Sequence, residues 1–108
     1  MKLSDLVKRL NLTALTPDFE DKTVSGCYIG DLLSWVMGKA QSGDVWITIM
    51  NNINIVAVAT LTDCAAVFLC EGVTASPNII EKAQNEGVAI FSSEKTAFEL
   101  AKALGGEL

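Results

Sequence analysis

Apolar positions recur at helical spacing near both ends of the chain. The separations i, i+3, i+4 and i+7 occur from Leu3 to Leu10 and again from Ala97 to Leu104. This spacing predicts one amphipathic helix at each end. Ser4 and Ser93 are expected to cap these helices, and Gly105-Gly106 is expected to end the second one.

Between these helices, short apolar runs rich in β-branched and aromatic residues are separated by turn residues. Such runs predict strands, and a run without polar alternation predicts a strand that is buried on both faces. A brief strand at Thr13–Thr16 is expected to stop at Pro17. Further strands are predicted at Thr23–Ile29, Val45–Ile49, Ala65–Cys70 and Val88–Phe91.

Helices are predicted between the strands. Asp31 is expected to cap a helix that ends at Gly38, and Ser76-Pro77 to begin one that ends at Gly87. The run Ile55–Leu61 is ambiguous, because its β-branched residues favour a strand while its alanines favour a helix. We prefer a helix, because parallel strands need a crossover. The alternation predicts an α/β fold with a mostly parallel sheet and helices on both faces.

Size and charge narrow the classes of protein. The 108 residues, half of them hydrophobic, predict a single domain over residues 1-108. The net charge is −5 and no Lys/Arg cluster is present, so we expect no nucleic-acid partner. No apolar run approaches the roughly 20 residues that span a bilayer, and the start of the chain does not resemble a signal peptide. We therefore expect a cytoplasmic protein that does not contact membranes.

The reactive residue types argue against catalysis. The chain has no histidine, and Cys27, Cys64 and Cys70 form no Cys-x-x-Cys pair. These thiols offer no four-ligand zinc pattern and are better interpreted as small buried side chains. No serine or cysteine stands beside an evident base, and Gly38-Lys39-Ala40 lacks the rest of a phosphate-binding loop. We expect no enzyme activity, no metal and no cofactor.

Charge is scarce in the middle of the chain, from Thr23 to Cys70. A stretch so poor in charge is expected to be buried in the core or against another copy of the chain. Trp35 and Trp46 lie within it and are our candidate interface residues, since an exposed tryptophan is typical of interface anchors. The alternative is that the N-terminal helix covers them.

Polar residues follow the third, fourth and fifth predicted strands. The carboxyl ends of parallel strands are where open α/β sheets bind ligands. The same residue types are also what turns and helix caps require, and this local use is the alternative interpretation. The candidate ligand-binding residues are Asn51, Asn52, Glu71, Gly72, Ser92, Ser93 and Thr96.

Several segments together resemble a known family. They are Asp21–Ser34, Gly43–Thr48, Ala65–Leu69, Gly87–Ile90 and Thr96–Leu100. In their order and spacing they resemble the DRTGG domain, and in particular the stand-alone DRTGG proteins associated with iron-only hydrogenase systems in anaerobic bacteria. The resemblance covers nearly the whole chain and depends on the order of segments rather than on one motif.

The resemblance implies a three-layer α/β/α fold similar to the N-terminal domain of HPr kinase/phosphorylase. It also implies a helix at Ile55–Leu61, a regulatory rather than catalytic role, and self-association. Asp44 and Gly72 match the family's turn aspartate and the glycine after its fourth strand. Val45 and Cys70-Glu71 replace the Arg and the Thr-Gly that are usual in the family.

We therefore expect a non-catalytic regulatory or ligand-sensing domain that forms a homodimer. Its expected ligand is a nucleotide or phosphorylated metabolite at the carboxyl edge of the sheet. The alternative is a protein-protein interaction module associated with a hydrogenase or signalling system.

Overall fold

Strands and helices alternate along the chain. A computed structural model describes all 108 residues. None of its helices is long and apolar enough to cross a membrane. The elements are α1 (Leu3–Arg9), β1 (Thr13–Ala14), β2 (Gly26–Ile29), α2 (Leu33–Lys39), β3 (Asp44–Thr48), α3 (Asn54–Thr62), β4 (Ala66–Leu69), α4 (Pro77–Glu86), β5 (Ile90–Ser92) and α5 (Ala97–Glu107).

The five strands form one sheet in the order β1-β5-β4-β3-β2. Strands β2 to β5 run parallel, and β1 pairs with β5 in the antiparallel direction. The predicted mostly parallel sheet is therefore confirmed. The segment Asn54–Thr62 is a helix, which confirms the choice made for the ambiguous run and supplies the crossover between β3 and β4.

Helices cover both faces of the sheet. Val45 and Ile47 of β3 pack in a core of 14 buried residues that includes residues of α1 and α5. Trp46, between them, packs on the opposite face in a second core of 14 buried residues with Val36 of α2 and Ile55 of α3. Successive side chains of a strand point to opposite faces, so the central residues of β3, Val45 to Ile47, are all apolar. The predicted three-layer α/β/α architecture is confirmed.

The two tryptophans occupy different environments. Trp46 is fully buried (0% exposed) and its indole Nε1 donates a hydrogen bond to the carbonyl of Gly30 at 2.8 Å. Trp46 is therefore a core residue, and its selection as an interface residue was wrong for this fold. Trp35 is 60% exposed on α2, and an interface role for it stays a prediction.

Two predicted caps have other roles. Ser4 lies inside α1, and both its backbone N–H and its hydroxyl donate to the carboxylate of Asp21 at 2.8 Å. Asp31 does not cap α2. Its Oδ1 accepts hydrogen bonds from the Thr48 hydroxyl at 2.7 Å and the Ile49 N–H at 3.0 Å, which fastens the end of β2 to the end of β3.

The last helix begins and ends later than the sequence predicts. Thr96, not Ser93, is the N-cap of α5, and it forms a reciprocal capping box with Glu99. Gly105-Gly106 does not end the helix, which continues to Glu107. The segment from Ser93 to Lys95 is therefore a loop at the carboxyl edge of the sheet.

Candidate functional site

A polar cleft opens at the carboxyl edge of the sheet. The parallel strands β4 and β5 both end there, and antiparallel β1 begins there, because Thr13 pairs with Ser92. The cleft has a volume of about 260 Å³. Its lining is almost entirely polar and consists of Leu10, Asn11, Thr13, Gly72, Ser92, Ser93, Glu94 and Lys95.

The two loops that form most of the cleft are fastened to each other by their backbones. The N–H of Glu71 donates to the Lys95 carbonyl at 2.7 Å, and the N–H of Gly72 donates to the Ser93 carbonyl at 2.9 Å. The N–H of Ser93 donates to the Leu69 carbonyl at 2.9 Å. These bonds fix the positions from which the Glu94 and Lys95 side chains project, so the walls of the cleft are held in place by the backbone itself.

Gly72 gives the cleft one of its walls. Its φ is +74°, in the left-handed region that glycine adopts without steric cost. A Cβ at this position would lie 2.7 Å from Oε2 of Glu94 and 3.3 Å from its Cδ. The carboxylate of Glu94 therefore lies directly against the glycine, in space that the Cβ of any other residue would occupy.

The cleft contains one positive and one negative side chain that do not pair with each other. The two ion pairs of the protein are Arg9–Glu107 and Lys82–Glu86, at 3.5 and 3.6 Å. The Lys95 ammonium and the Glu94 carboxylate are thus both free to contact a ligand. The hydroxyl and amide groups around them can donate and accept hydrogen bonds.

Three of the seven predicted ligand-binding residues line this cleft, namely Gly72, Ser92 and Ser93. Glu71 is exposed beside Gly72 with a φ of +57°. Its N–H bonds to the Lys95 carbonyl, but the residue does not line the cleft. Thr96 lies just beyond the cleft, and its hydroxyl is engaged in the cap of α5.

Asn51 and Asn52 lie outside the cleft, in the loop after β3. The side-chain amide of Asn51 donates to the Thr74 carbonyl at 2.8 Å. The Asn52 side-chain oxygen accepts from the N–H of Asn54 at 2.9 Å, at the start of α3. Both side chains therefore hold the backbone of turns and helix starts, which was the alternative to a role in ligand binding.

Sequence reasoning missed five lining residues. Leu10, Asn11 and Thr13 reach the cleft only because β1 pairs antiparallel with β5, and a two-residue strand gives too weak a pattern to predict its partner. The predicted helix capped by Ser93 would have Glu94 and Lys95 in its first turn, whereas in the structure they precede the N-cap, Thr96. The three-residue spacing between Thr96 and Glu99 is typical of a capping box and indicates that the helix begins later.

The thiols are not set up for nucleophilic chemistry. Cys64 and Cys70 are buried as predicted, but Cys27 on β2 is exposed, so the prediction of a buried side chain is wrong for Cys27. Partial desolvation of its thiol, with the nearby Asp44 carboxylate, raises the pKa of Cys27 to about 11. Burial likewise raises the pKa of Cys64 and of Cys70. The thiolate is the reactive form, so these side chains are protonated and unreactive near neutral pH.

A second exposed feature lies beside β2, which is the edge strand farthest from β1 in the sheet. Strand β2 has only β3 as a neighbour, so its outer side is unpaired. Ile29, Leu32 and Trp35 are 49%, 61% and 60% exposed and line one shallow depression. We call these three residues the β2 edge surface.

Comparison with known proteins gives one family and one solved structure. The family model of the DRTGG domain matches residues 5–106. A search of curated proteins finds no match. The chain is similar to a crystal structure of the CBS and DRTGG domains of the regulatory region of Clostridium perfringens pyrophosphatase, complexed with its activator diadenosine tetraphosphate. The TM-score is 0.72 at 17% identity over 94% of this chain and 45% of that chain, which shows a shared fold.

Proposed function

The chain belongs to the DRTGG domain family, and we propose that it is a non-catalytic regulatory domain that senses a small ligand. The ligand site in this proposal is the polar cleft between the loops after β4 and β5. The ligand class is a nucleotide or phosphorylated metabolite. On this proposal, residues 1-108 act as one domain that changes its stability or its contacts when the ligand binds.

One observation carries the proposal: two backbone hydrogen bonds, from Glu71 and Gly72, hold open a cleft with unpaired charges. Its position matches the general rule that open α/β sheets bind ligands outside the carboxyl ends of their strands. Lys95 supplies a positive charge for a phosphate, and Ser92 supplies a hydroxyl group. The Ser93 hydroxyl oxygen accepts from the Lys95 N–H at 3.1 Å, and its proton can still be donated to a ligand. The structurally similar pyrophosphatase regulatory region was crystallised with a nucleotide activator, which supports the same ligand class here.

Thermal unfolding in the presence of candidate ligands tests this function. A ligand that binds only the folded state at about 100 times its Kd stabilises that state by about 2.7 kcal/mol. We expect adenosine diphosphate or diadenosine tetraphosphate to raise Tm in a dose-dependent way. Lys95→Ala is expected to abolish the shift, whereas Lys102→Ala on α5 retains it. A flat response of the wild type to both nucleotides and to a panel of sugar phosphates would refute ligand sensing.

We also propose that the protein forms a homodimer through the β2 edge surface. An unpaired edge strand beside exposed apolar side chains is a typical site for pairing with another chain. Trp35 is the largest side chain there, and Lys39 lies 5.2 Å from its ring centroid. Charged residues stand at the margin, as in protein interfaces with an apolar centre and a polar rim.

Size-exclusion chromatography with light scattering tests the homodimer. Trp35→Ala is expected to give a folded monomer, whereas Phe98→Ala, which removes an even more exposed aromatic side chain from α5, leaves a dimer. A wild-type monomer at high concentration would contradict self-association. That result would favour the second candidate function, in which the same surface docks on a different protein of a hydrogenase or signalling system.

A further inference from the structure

Glu94 is an unusual residue to find in a cleft proposed to bind a phosphate. Its carboxylate is one residue away from Lys95, yet the two side chains form no ion pair. The carboxylate instead lies against Gly72, with its atoms 2.7 to 3.4 Å from where a Cβ would be and Oε2 the nearest. The glycine thus makes room for a negative charge that Lys95 does not neutralise.

This separation of charges disfavours a simple anion. An inorganic phosphate near Lys95 would also lie within a few ångströms of Glu94, and the attraction and repulsion would largely cancel at similar distances. A ligand that carries a phosphate at one end and hydroxyl groups at the other makes both contacts favourable. A carboxylate accepts hydrogen bonds only, and bonds from hydroxyls to it are about twice as strong as neutral ones.

The neutral lining and the size of the cleft are consistent with such a ligand. Asn11, Thr13, Ser92 and Ser93 offer side-chain donors and acceptors that do not discriminate by charge. The volume of about 260 Å³ is slightly below the roughly 300–1,000 Å³ of typical small-molecule sites. It has room for the sugar phosphate of one nucleotide, and the remainder of a larger ligand such as diadenosine tetraphosphate would lie outside the cleft.

We propose that Glu94 is a specificity-determining residue that makes the cleft select ribose-type sugar phosphates over bare anions and over deoxygenated analogues. The Glu94 carboxylate accepts hydrogen bonds from the vicinal hydroxyls of the sugar, and Lys95 faces the phosphate. Gly72 is required because it leaves space for this carboxylate. This inference rests on the proposed function, since it concerns the ligand of the same cleft.

Isothermal titration calorimetry with three probes tests the inference. The probes are adenosine diphosphate, its 2′,3′-dideoxy analogue and inorganic phosphate. We expect the wild type to bind the ribonucleotide at least about ten-fold more tightly than the dideoxy analogue, because hydrogen bonds to a charged group are among the strongest in proteins. In Glu94→Gln the ratio is expected to fall to about three-fold or less, and the affinity for inorganic phosphate is expected to rise.

Glu81→Gln on the exposed surface of α4 is the matched control, because it removes the same charge outside the cleft. It should leave the ribonucleotide preference unchanged. If wild type binds adenosine diphosphate and the dideoxy analogue equally, or if Glu94→Gln keeps the preference, the role of Glu94 is refuted while ligand sensing stands. If none of the probes binds the wild type, the inference is refuted, and the thermal-unfolding response to the panel of nucleotides and sugar phosphates decides whether ligand sensing stands.

Discussion

Replacing Gly72 by alanine tests both the backbone of the cleft and its link to Glu94. Alanine at a φ of +74° costs roughly 1–2 kcal/mol. About 0.4–1 kcal/mol of this is offset, because alanine reduces the conformational entropy of the unfolded chain. The net expectation is a loss of about 1 kcal/mol of unfolding free energy.

Gly87 provides a matched control for this backbone term. It has almost the same φ, +73°, and a Cβ added there would meet nothing within 4 Å. At Gly72 the new Cβ would instead displace the Glu94 carboxylate from 2.7 Å. Because Glu94 is exposed and makes no hydrogen bond with the protein, its displacement should change stability by no more than about 0.5 kcal/mol.

Urea unfolding followed by the fluorescence of the buried Trp46 is a suitable assay. With a denaturant slope of about 1–3 kcal/mol/M, both Gly72→Ala and Gly87→Ala should lower the midpoint by about 0.3–1 M. Nucleotide binding should be weakened at least about ten-fold in Gly72→Ala and be unchanged in Gly87→Ala. The reasoning is refuted if Gly72→Ala is as stable as wild type, or if both variants bind nucleotide equally well.

Three further predictions concern the core, a helix cap and a thiol. Trp46→Phe should lower the unfolding free energy by about 1–3 kcal/mol in urea titrations, because it leaves the partly buried Gly30 carbonyl without its donor and removes part of a fully buried side chain, whereas Trp35→Phe should change it by less than about 0.5 kcal/mol. Thr96→Ala should cost about 1 kcal/mol through loss of the capping box, and an equal loss in Ser93→Ala would contradict the assignment of the cap. Since the folded state raises the pKa of Cys27 from 9.0 to about 11, its stabilising contribution is present below pH 9 and lost as pH rises towards 11. Peptide mapping after pulse alkylation should show Cys27 reacting with a midpoint near pH 11, and a midpoint near 9 would disprove the shift.

The sequence predicts the layers of this fold because burial leaves a strong pattern. Strand β3 is buried at all five positions, and its three central residues, Val45 to Ile47, form an apolar run without polar alternation that indicates a central parallel strand. Gly87 was expected to end α4, and it does so with a left-handed φ. Such features depend on local sequence and on the two faces of one sheet, both of which are visible in the order of residues.

The cleft is less predictable because it depends on contacts between distant parts of the chain. Asn11 and Ser92 become neighbours through a two-residue strand, β1, whose burial pattern is exposed at both positions. Thr16 strengthens this pairing, since its buried hydroxyl accepts a hydrogen bond from the Ile90 N–H at 2.9 Å. A threonine in that position looks in the sequence like any other turn residue.

The same contacts explain why the carboxyl edge is not equally suited to binding along its whole length. At the ends of β2 and β3, the Asp31 carboxylate accepts hydrogen bonds from the Thr48 hydroxyl and the Ile49 N–H. The Asn51 side-chain amide donates to the Thr74 carbonyl. At β4 and β5, backbone groups fasten the loops to each other. Side chains that are not needed to hold the loops together remain free to recognise a ligand. This difference in how the loops are held together is why we propose the ligand site at the carboxyl ends of β4 and β5, beside Glu94.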